Sequence, residues 1–129
     1  MVKLAPYIFS ENAREQGEFY VKALRGEIVS VQTFGDAPKA PEEMKEKVMH
    51  LVLQVGGLQI FLADSTSIVS GNQLDLTLEY GTEEEARAVF AGLAEGGNVI
   101  MAFERMFWGT MFGRIQDPYG VRWQIVTAK

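Results

Sequence analysis

Few side chains in this sequence have the chemistry of a catalytic or metal-binding centre. The chain contains one histidine, His50, and no cysteine. Thiolate catalysis and cysteine-ligated metal sites are therefore excluded. To act as a general base, His50 would need a carboxylate that orients it, and the spacing of acidic residues identifies no such partner. A lone histidine also falls short of the three protein ligands that a catalytic metal site usually needs.

The carboxylates do not form a recognisable catalytic pair either. Asp75 and Glu79 lie four residues apart on one side of a predicted strand, which separates them by roughly 13 Å at a rise of about 3.3 Å per residue. This separation is too large for the carboxylate pair of a glycosidase. A Gly-x-Ser-x-Gly elbow, a Walker-type phosphate loop and the glycine-rich run of a dinucleotide or methyl-donor site are all missing. The residues therefore predict no metal and no cofactor, and they leave any catalytic set unknown.

Composition and charge narrow the possible partners. The chain has 129 residues, of which 47% are hydrophobic and 22% charged, and its formal net charge is −5. This size and composition predict one folded domain, residues 1–129. The acidic balance and the lack of a basic stripe argue against nucleic acid. No run approaches the roughly 20 apolar residues that span a bilayer, and the N-terminus lacks a signal-peptide pattern. We therefore expect no membrane partner and a cytoplasmic location.

The first half of the chain predicts a strand, a helix and three further strands. Asn12 and Glu15 have the spacing of a capping box at the start of the helix. Gly26 is expected to end the helix in the left-handed conformation. Residues 35–47 are polar, contain two prolines and are expected to form a long loop with at most a short helical turn. The four predicted strands are Leu4–Phe9, Glu27–Phe34, Val48–Val55 and Leu58–Ala63.

The second half repeats this order. Thr82 and Glu85 form another capping box, and the helix is expected to end at Gly96-Gly97. The run Asp117-Pro118-Tyr119-Gly120 predicts a tight turn in which Gly120 takes a positive φ. The predicted strands are Leu74–Tyr80, Asn98–Phe103, Thr110–Gln116 and Val121–Thr127.

The order β-α-β-β-β thus occurs twice, as module 1 at about residues 1–66 and module 2 at about residues 70–129. One such module cannot bury its sheet alone, whereas two copies can pack their helices on one side and curve their sheets around a cleft. We therefore predict an α+β fold of two tandem βαβββ modules, with curved mixed sheets around a cleft. A ferredoxin-like sandwich uses the same elements but needs fewer strands.

Alternation along the strands assigns their sides. The more apolar sides, such as Leu51/Leu53, Ile60/Leu62 and Trp123/Ile125, are expected to cover the helices. The opposite sides mix polar and aromatic residues. Such a surface suits a small-molecule pocket or a subunit interface, and both interpretations stay open.

The C-terminal stretch carries the most specific motif. Trp108-Gly109 is followed by Gly113, by Asp117-Pro118-Tyr119-Gly120 and by Trp123. Together with Phe19-Tyr20 and His50-Leu51, this pattern resembles the PhnB-like branch of the glyoxalase/bleomycin-resistance (vicinal oxygen chelate) superfamily over essentially the whole chain. The resemblance implies the paired βαβββ fold.

In metal-dependent members of that superfamily, the ligand positions correspond to places near Ala5, Phe61, Asp75 and Gln124. Only Asp75 and Gln124 have oxygen donors there, and no imidazole is present. Glyoxalase and extradiol dioxygenase chemistry need the metal, so the missing ligands depart from that pattern and predict a metal-free member. PhnB-like proteins have also been labelled ubiquinone-type methyltransferases, a label that the missing glycine-rich run does not support.

The leading interpretation is a metal-free binding protein for a small, partly apolar molecule, similar to drug-sequestering members of the superfamily, which are usually homodimers. Apolar contacts are expected from Tyr7, Phe9, Phe61, Phe103, Trp108 and Phe112. Orientation of the ligand is expected from His50, Asp75, Arg114 and Gln124.

Two other functions stay open. One is a divalent-metal-dependent lyase or dioxygenase-type enzyme with an oxygen-rich site around Asp75 and Gln124. The other is a dimeric interaction module without a ligand. The apolar stretches at residues 101–103 and 106–108 predict a dimer interface in any of these cases.

Overall fold

The computed structural model describes residues 1–128. The chain divides into two compact units, Met1–Ile68 and Val69–Lys129. Each unit contains a four-stranded mixed sheet and one α-helix, in the order β-α-β-β-β. The predicted α+β fold of two tandem βαβββ modules is therefore confirmed. Within the described residues, neither helix is long and apolar enough to cross a membrane.

The sheet of the first unit has the strand order β1-β4-β3-β2. β1 runs parallel to β4, and the other two pairs are antiparallel. The segment predicted as a long loop contains two short 3-10 turns, Phe34–Asp36 and Glu42–Met44. The elements of this unit are β1 Tyr7–Ser10, α1 Ala13–Leu24, β2 Glu27–Thr33, β3 Val48–Val55 and β4 Leu58–Asp64.

The sheet of the second unit repeats this topology, with the order β5-β8-β7-β6. β5 runs parallel to β8, while β6–β7 and β7–β8 are antiparallel. β1 and β5 both begin later than predicted, because Leu4 and Leu74 lie outside the strands and are 99% and 75% exposed. The elements of this unit are β5 Leu76–Tyr80, α2 Glu83–Ala94, β6 Asn98–Arg105, β7 Met111–Gln116 and β8 Arg122–Thr127.

Helix α1 lies against one side of the first sheet. Gly17 of the helix faces Leu51 of β3 so closely that an added Cβ would lie 3.3 Å from the leucine side chain. Tyr20, one turn further on, is completely buried, and its hydroxyl accepts a 2.8 Å hydrogen bond from the Gln16 side chain. A buried polar group needs such a partner. The short distance between Gly17 and Leu51 means that the packing of α1 against β3 depends on a small residue at position 17.

The ends of α1 differ in detail from the prediction. The Asn12 side chain accepts the backbone N–H of Glu15, but the Glu15 carboxylate accepts from the Asn12 side-chain amide. The backbone N–H of Asn12 donates instead to Ser10 Oγ. The left-handed residue that ends the helix is Arg25, with φ 57°, and not Gly26.

Gly26 is needed for a different reason, which is its close approach to β3. A Cβ at this position would lie 2.6 Å from the backbone oxygen of Gln54 and 2.8 Å from a methyl group of Val55. Because the first of these neighbours is backbone, it cannot move aside without disturbing the sheet. The sequence signalled a helix end correctly but assigned the glycine the wrong role.

The turn that follows β7 forms as predicted. Asp117 Oδ1 accepts the backbone N–H groups of Tyr119 and Val121 at 2.9 and 3.1 Å, and Gly120 has φ 93°. The other carboxylate oxygen of Asp117 accepts a 2.9 Å hydrogen bond from the indole N–H of Trp123. The carboxylate thus joins the turn to the buried tryptophan of β8.

Replacing Gly26 by alanine is expected to lower the free energy of unfolding by about 1–3 kcal/mol, because the new Cβ would overlap the Gln54 carbonyl. Urea unfolding followed by circular dichroism measures the loss. Gly57→Ala is the matched control, since nothing lies within 4 Å of a Cβ there and its φ is not positive. Equal stability of the two variants would contradict this account of Gly26.

Candidate functional site

In each unit the apolar side of the sheet is used for packing. Leu51, Leu53 and Leu62 are completely buried in the first unit, as are Ile115 and Ile125 in the second. This confirms the predicted helix-facing sides at the strand centres. At strand ends the pattern weakens, since Leu58 is 39% exposed. The predicted site residues are therefore found mainly on the opposite sides of the two sheets.

In the first unit, four predicted residues come together and form what we call the aromatic face: Tyr7, Phe9, His50 and Phe61. The Tyr7 ring lies 5.2 Å from that of Phe9, 5.6 Å from His50 and 6.1 Å from Phe61, measured between ring centroids. The His50 and Phe61 rings are 5.0 Å apart. These are contact distances for aromatic side chains. Tyr7 and Phe9 remain 46% and 57% exposed.

Strand register explains why these residues meet. Tyr7 of β1 pairs with Phe61 of β4, and Phe61 pairs on its other side with Val52 of β3. His50 precedes Val52 by two residues and so points to the same side of the sheet. The aromatic face therefore follows from the order β1-β4-β3, which brings the first strand next to the fourth.

His50 has no carboxylate partner among the residues that the structure describes. Its Nδ1 lies 3.4 Å from the Tyr7 hydroxyl, and that hydroxyl donates to the Met49 carbonyl oxygen at 3.5 Å. Both distances are at the long limit for hydrogen bonds. Without an orienting carboxylate, the geometry does not build a His-based general base.

In the second unit, four residues form what we call the arginine cluster: Asp75, Arg114, Arg122 and Gln124. Asp75 accepts from Arg114 Nε and Arg122 Nε, each at 2.9 Å, and from Gln124 Nε2 at 3.1 Å. The side chains of Asp75, Arg122 and Arg114 are only 10%, 15% and 26% exposed. This cluster contains three residues that the sequence indicated and one, Arg122, that it did not select.

The signal for Arg122 was present in the alternation of β8. Arg122 and Gln124 lie two residues apart and therefore share a side of the sheet. Arg114 of β7 pairs with Gln124, and Gln116 pairs with Arg122. Asp75 lies immediately before β5, which runs beside β8. This strand pairing determines which donors reach Asp75. Spacing along the chain does not reveal it.

Two opposing effects act on the Asp75 carboxylate. Burial alone would raise its pKa by disfavouring the charged form, but hydrogen bonds from Arg114, Gln124 and Arg122 outweigh that effect. The pKa of Asp75 is consequently lowered from its ordinary value of 3.8. The carboxylate is therefore fully ionised at neutral pH, and its charge is bound to two guanidinium groups.

This donor set does not fit a metal ion. The carboxylate oxygens of Asp75 already accept from two cationic side chains, and the Gln124 amide presents its nitrogen to them. Ala5 and Phe61 have no donor atoms in their side chains. Within residues 1–128 no group of three or more His, Asp or Glu side chains is arranged to hold a metal. A cation here would also face two guanidinium groups, which disfavours it electrostatically.

The remaining predicted contacts are divided between two places. The Phe103 ring packs 5.4 Å from that of Phe90 in α2, so Phe103 lies on the helix side of β6 and apart from the other predicted contacts. Irregularities in the β6–β7 pairing account for this, because they shift the alternation of β6. Trp108 lies in the turn after β6, half exposed, with its ring 4.9 Å from that of Phe107 and 6.4 Å from that of Phe112.

Two tandem βαβββ units with one helix and one four-stranded mixed sheet each define the fold of the glyoxalase/bleomycin resistance/dioxygenase superfamily. Solved structures of that superfamily match this chain over nearly its whole length. The chain belongs to the PhnB-like family described as 3-demethylubiquinone-9 3-methyltransferase, whose model matches residues 3–126. The resemblance predicted from the sequence is thereby confirmed.

Three proteins illustrate the similarity. Protein PA1353 from Pseudomonas aeruginosa is 32% identical, with 98% of each chain covered and a TM-score of 0.85. The PhnB protein from Bacillus cereus is 28% identical, with 98% of this chain and 100% of that chain covered and a TM-score of 0.79. Protein YjdN from Escherichia coli is 27% identical over 140 residues, which cover 98% of this chain and 95% of YjdN.

Replacing Asp75 by asparagine is expected to lower the free energy of unfolding at neutral pH by about 1–3 kcal/mol, since both arginines lose their charged acceptor. The folded-state pKa of Asp75 lies below 3.8. Its stabilising effect is therefore present above that value and is lost as the pH falls through the folded-state pKa. Urea unfolding at neutral pH and at about pH 3 should show a difference between wild type and D75N that shrinks in acid.

Glu79→Gln is the control, because this exposed carboxylate is in β5, on the same side as Asp75, and forms no ion pair among the described residues. It should change stability by less than about 0.5 kcal/mol. A pH-independent effect of D75N, or an equal effect of Glu79→Gln, would show that the two ion pairs contribute nothing specific.

Proposed function

We propose that this protein binds a small organic molecule through the aromatic face of its first unit, without a protein-bound metal. The observation that carries the proposal is the exposure of the clustered rings. Tyr7 and Phe9 keep about half of their surface accessible, although they contact each other and Tyr7 contacts Phe61. A compact group of exposed aromatic side chains is typical of a recognition surface.

The surroundings of the aromatic face indicate the kind of group it would contact. On the same side of the sheet, β3 and β4 present Val52, Gln54 and Gln59, none of which carries a formal charge. The two glutamine side chains are joined, since Gln59 Nε2 donates to Gln54 Oε1 at 3.2 Å. The rings and amides of these strands suit a planar, largely apolar group with few polar atoms.

Binding is a narrower proposal than the methyl transfer that the family's description names. It needs only the residues of the aromatic face, which the fold brings into contact. A methyl-donor site of the dinucleotide-binding type would need a glycine-rich run after a strand, and the sequence has none. The metal-dependent alternative loses support because the one carboxylate at the expected ligand positions is bound by two arginines.

We also propose that two copies of the chain associate through β6 and the turn after it. β6 is an edge strand of its sheet, and its Val99 and Met101 are 48% and 39% exposed. Phe107, in the turn, is 97% exposed. Exposed apolar side chains along an open strand edge favour pairing with another chain, and a second copy is the partner that is always present.

The aromatic face predicts that naphthol, a neutral planar probe, binds the protein and that Phe9→Ala weakens this binding about three- to tenfold. The physical reason is the loss of one ring from the contact surface. Titration of naphthol fluorescence measures the dissociation constant. Phe9 is more than half exposed, so its replacement should leave stability nearly unchanged.

Leu58→Ala is the matched control for naphthol binding. Leu58 is 39% exposed on β4 but lies on the opposite side from Phe61. It should leave naphthol affinity unchanged. Binding that falls equally in both variants would indicate general adsorption to apolar surface, and binding that survives Phe9→Ala unaltered would remove the aromatic face as the site.

For the association of two copies, light scattering should give twice the chain mass of 14.4 kDa. Met101→Glu should shift the protein to a single copy, because it introduces a charge into the apolar edge. Leu4→Glu, at a position that is 99% exposed in the other unit, should have no effect. A single-copy wild type would refute the proposed association.

A further inference from the structure

We infer that Arg114 and Arg122 of the second unit form a binding site for the carboxylate group of a small organic molecule. The inference goes beyond the proposed function, because it assigns a binding site and a ligand class to the second unit. The aromatic face has no formally charged residue, whereas the arginine cluster has an excess of positive charge. The cluster has one uncompensated positive charge, unused hydrogen-bond donors and no further counter-charge among the described residues.

The charge balance leaves one positive charge uncompensated. Two guanidinium groups, from Arg114 and Arg122, share the single carboxylate of Asp75. Gln124 is neutral and donates to the same carboxylate. The side chains of both arginines are largely buried, at 26% and 15% exposure. A partly buried charge without a counter-ion is costly, and an anion that enters the cluster would remove that cost.

The donors needed for such an anion are free. Each arginine uses its Nε to bind Asp75. Within residues 1–128, neither arginine makes a hydrogen bond through its terminal nitrogens. A guanidinium group presents these nitrogens as a planar fork that matches the two oxygens of a carboxylate. Asp75 thus holds both arginines in place by one edge and leaves their other donors available.

Nearby acidic side chains do not supply the missing counter-charge. Glu79 pairs along the sheet with Val126, and Glu104 pairs with Phe112. Neither glutamate comes within ion-pair distance of Arg114 or Arg122 in the part of the chain that the structure describes. The excess charge of the cluster therefore remains for a ligand.

The size of the excess identifies the class of anion. One uncompensated positive charge matches a carboxylate, which carries one negative charge at neutral pH, better than a phosphate monoester, which carries nearly two. A metal ion is disfavoured by the same charge. A nucleic acid is disfavoured by the net charge of −5. The ligand class is thus a small organic carboxylate.

Benzoate and benzamide provide a direct test, because they share a ring and differ in charge. In a protein labelled with ¹⁵N, benzoate should shift the Nε–Hε resonances of Arg114 and Arg122, and benzamide should not. Arg114→Gln should weaken benzoate binding at least about tenfold, through loss of one charged fork. Arg14→Gln, at an exposed position of α1, is the control and should leave binding unchanged.

Arg114→Lys serves if Arg114→Gln unfolds. It keeps the charge but loses the fork, and it should weaken benzoate binding about three- to tenfold. Equal shifts with benzoate and benzamide, no shift of either arginine, or equal losses in Arg114→Gln and Arg14→Gln would each overturn the inference.

The two proposals can fail separately. Naphthol binding that depends on Phe9, combined with benzoate that leaves both arginines unperturbed, would refute the carboxylate alone. Benzoate binding at the arginines, combined with the absence of naphthol binding, would refute the role of the aromatic face.

Discussion

One α-helix can cover only one side of a four-stranded sheet, and each unit of this chain has a single helix. The helix-facing sides therefore take the apolar residues at alternating strand positions, such as Leu51 and Leu53 in β3 and Trp123 and Ile125 in β8. The opposite sides of the sheets do not pack against a helix. Residues on those sides are available for ligand binding, because packing on the helix side already provides the apolar burial that drives folding.

The sheet sides that face away from the helices carry different residue types in the two units, although both units have the same topology. In the first unit, Tyr7 of β1 lies beside β4 and contacts Phe61 and His50. In the second unit, the residues next to β8 are Asp75 and Thr77, which contact charged and amide side chains. The surface of the first unit is suited to apolar groups and that of the second unit to acidic groups.

Aspartates in this protein act mainly as acceptors within the protein itself. Asp64 accepts the backbone N–H groups of Ala13 and Val48, each at 2.7 Å, and so joins α1 and β3 to the end of β4. Asp117 accepts two backbone groups of its turn and the indole of Trp123. Asp75 accepts from arginines. Because these oxygens already accept hydrogen bonds, the three aspartates hold backbone, indole and arginine groups in place and do not form metal sites.

The sequence predicted much of this structure because its signals are local. Alternation placed Leu51, Leu53 and Ile60 on the buried side, and the turn chemistry of Asp117 and Gly120 was correct. Errors arose where local signals compete. Gly26 read as a left-handed cap, but Arg25 takes that conformation and Gly26 instead allows close approach to Gln54. Irregular pairing of β6 turned Phe103 toward α2, which strict alternation did not anticipate.

By itself, the sequence determined the repeated βαβββ order, the family motif and the shortage of metal ligands, because each depends on residue type and short spacing. Only the tertiary structure decided that Tyr7 would meet Phe61 and that Arg114 and Arg122 would converge on Asp75. These contacts depend on which strands lie side by side. Pairing between strands that are distant along the chain is set by the global packing of each sheet, which short-range patterns do not encode.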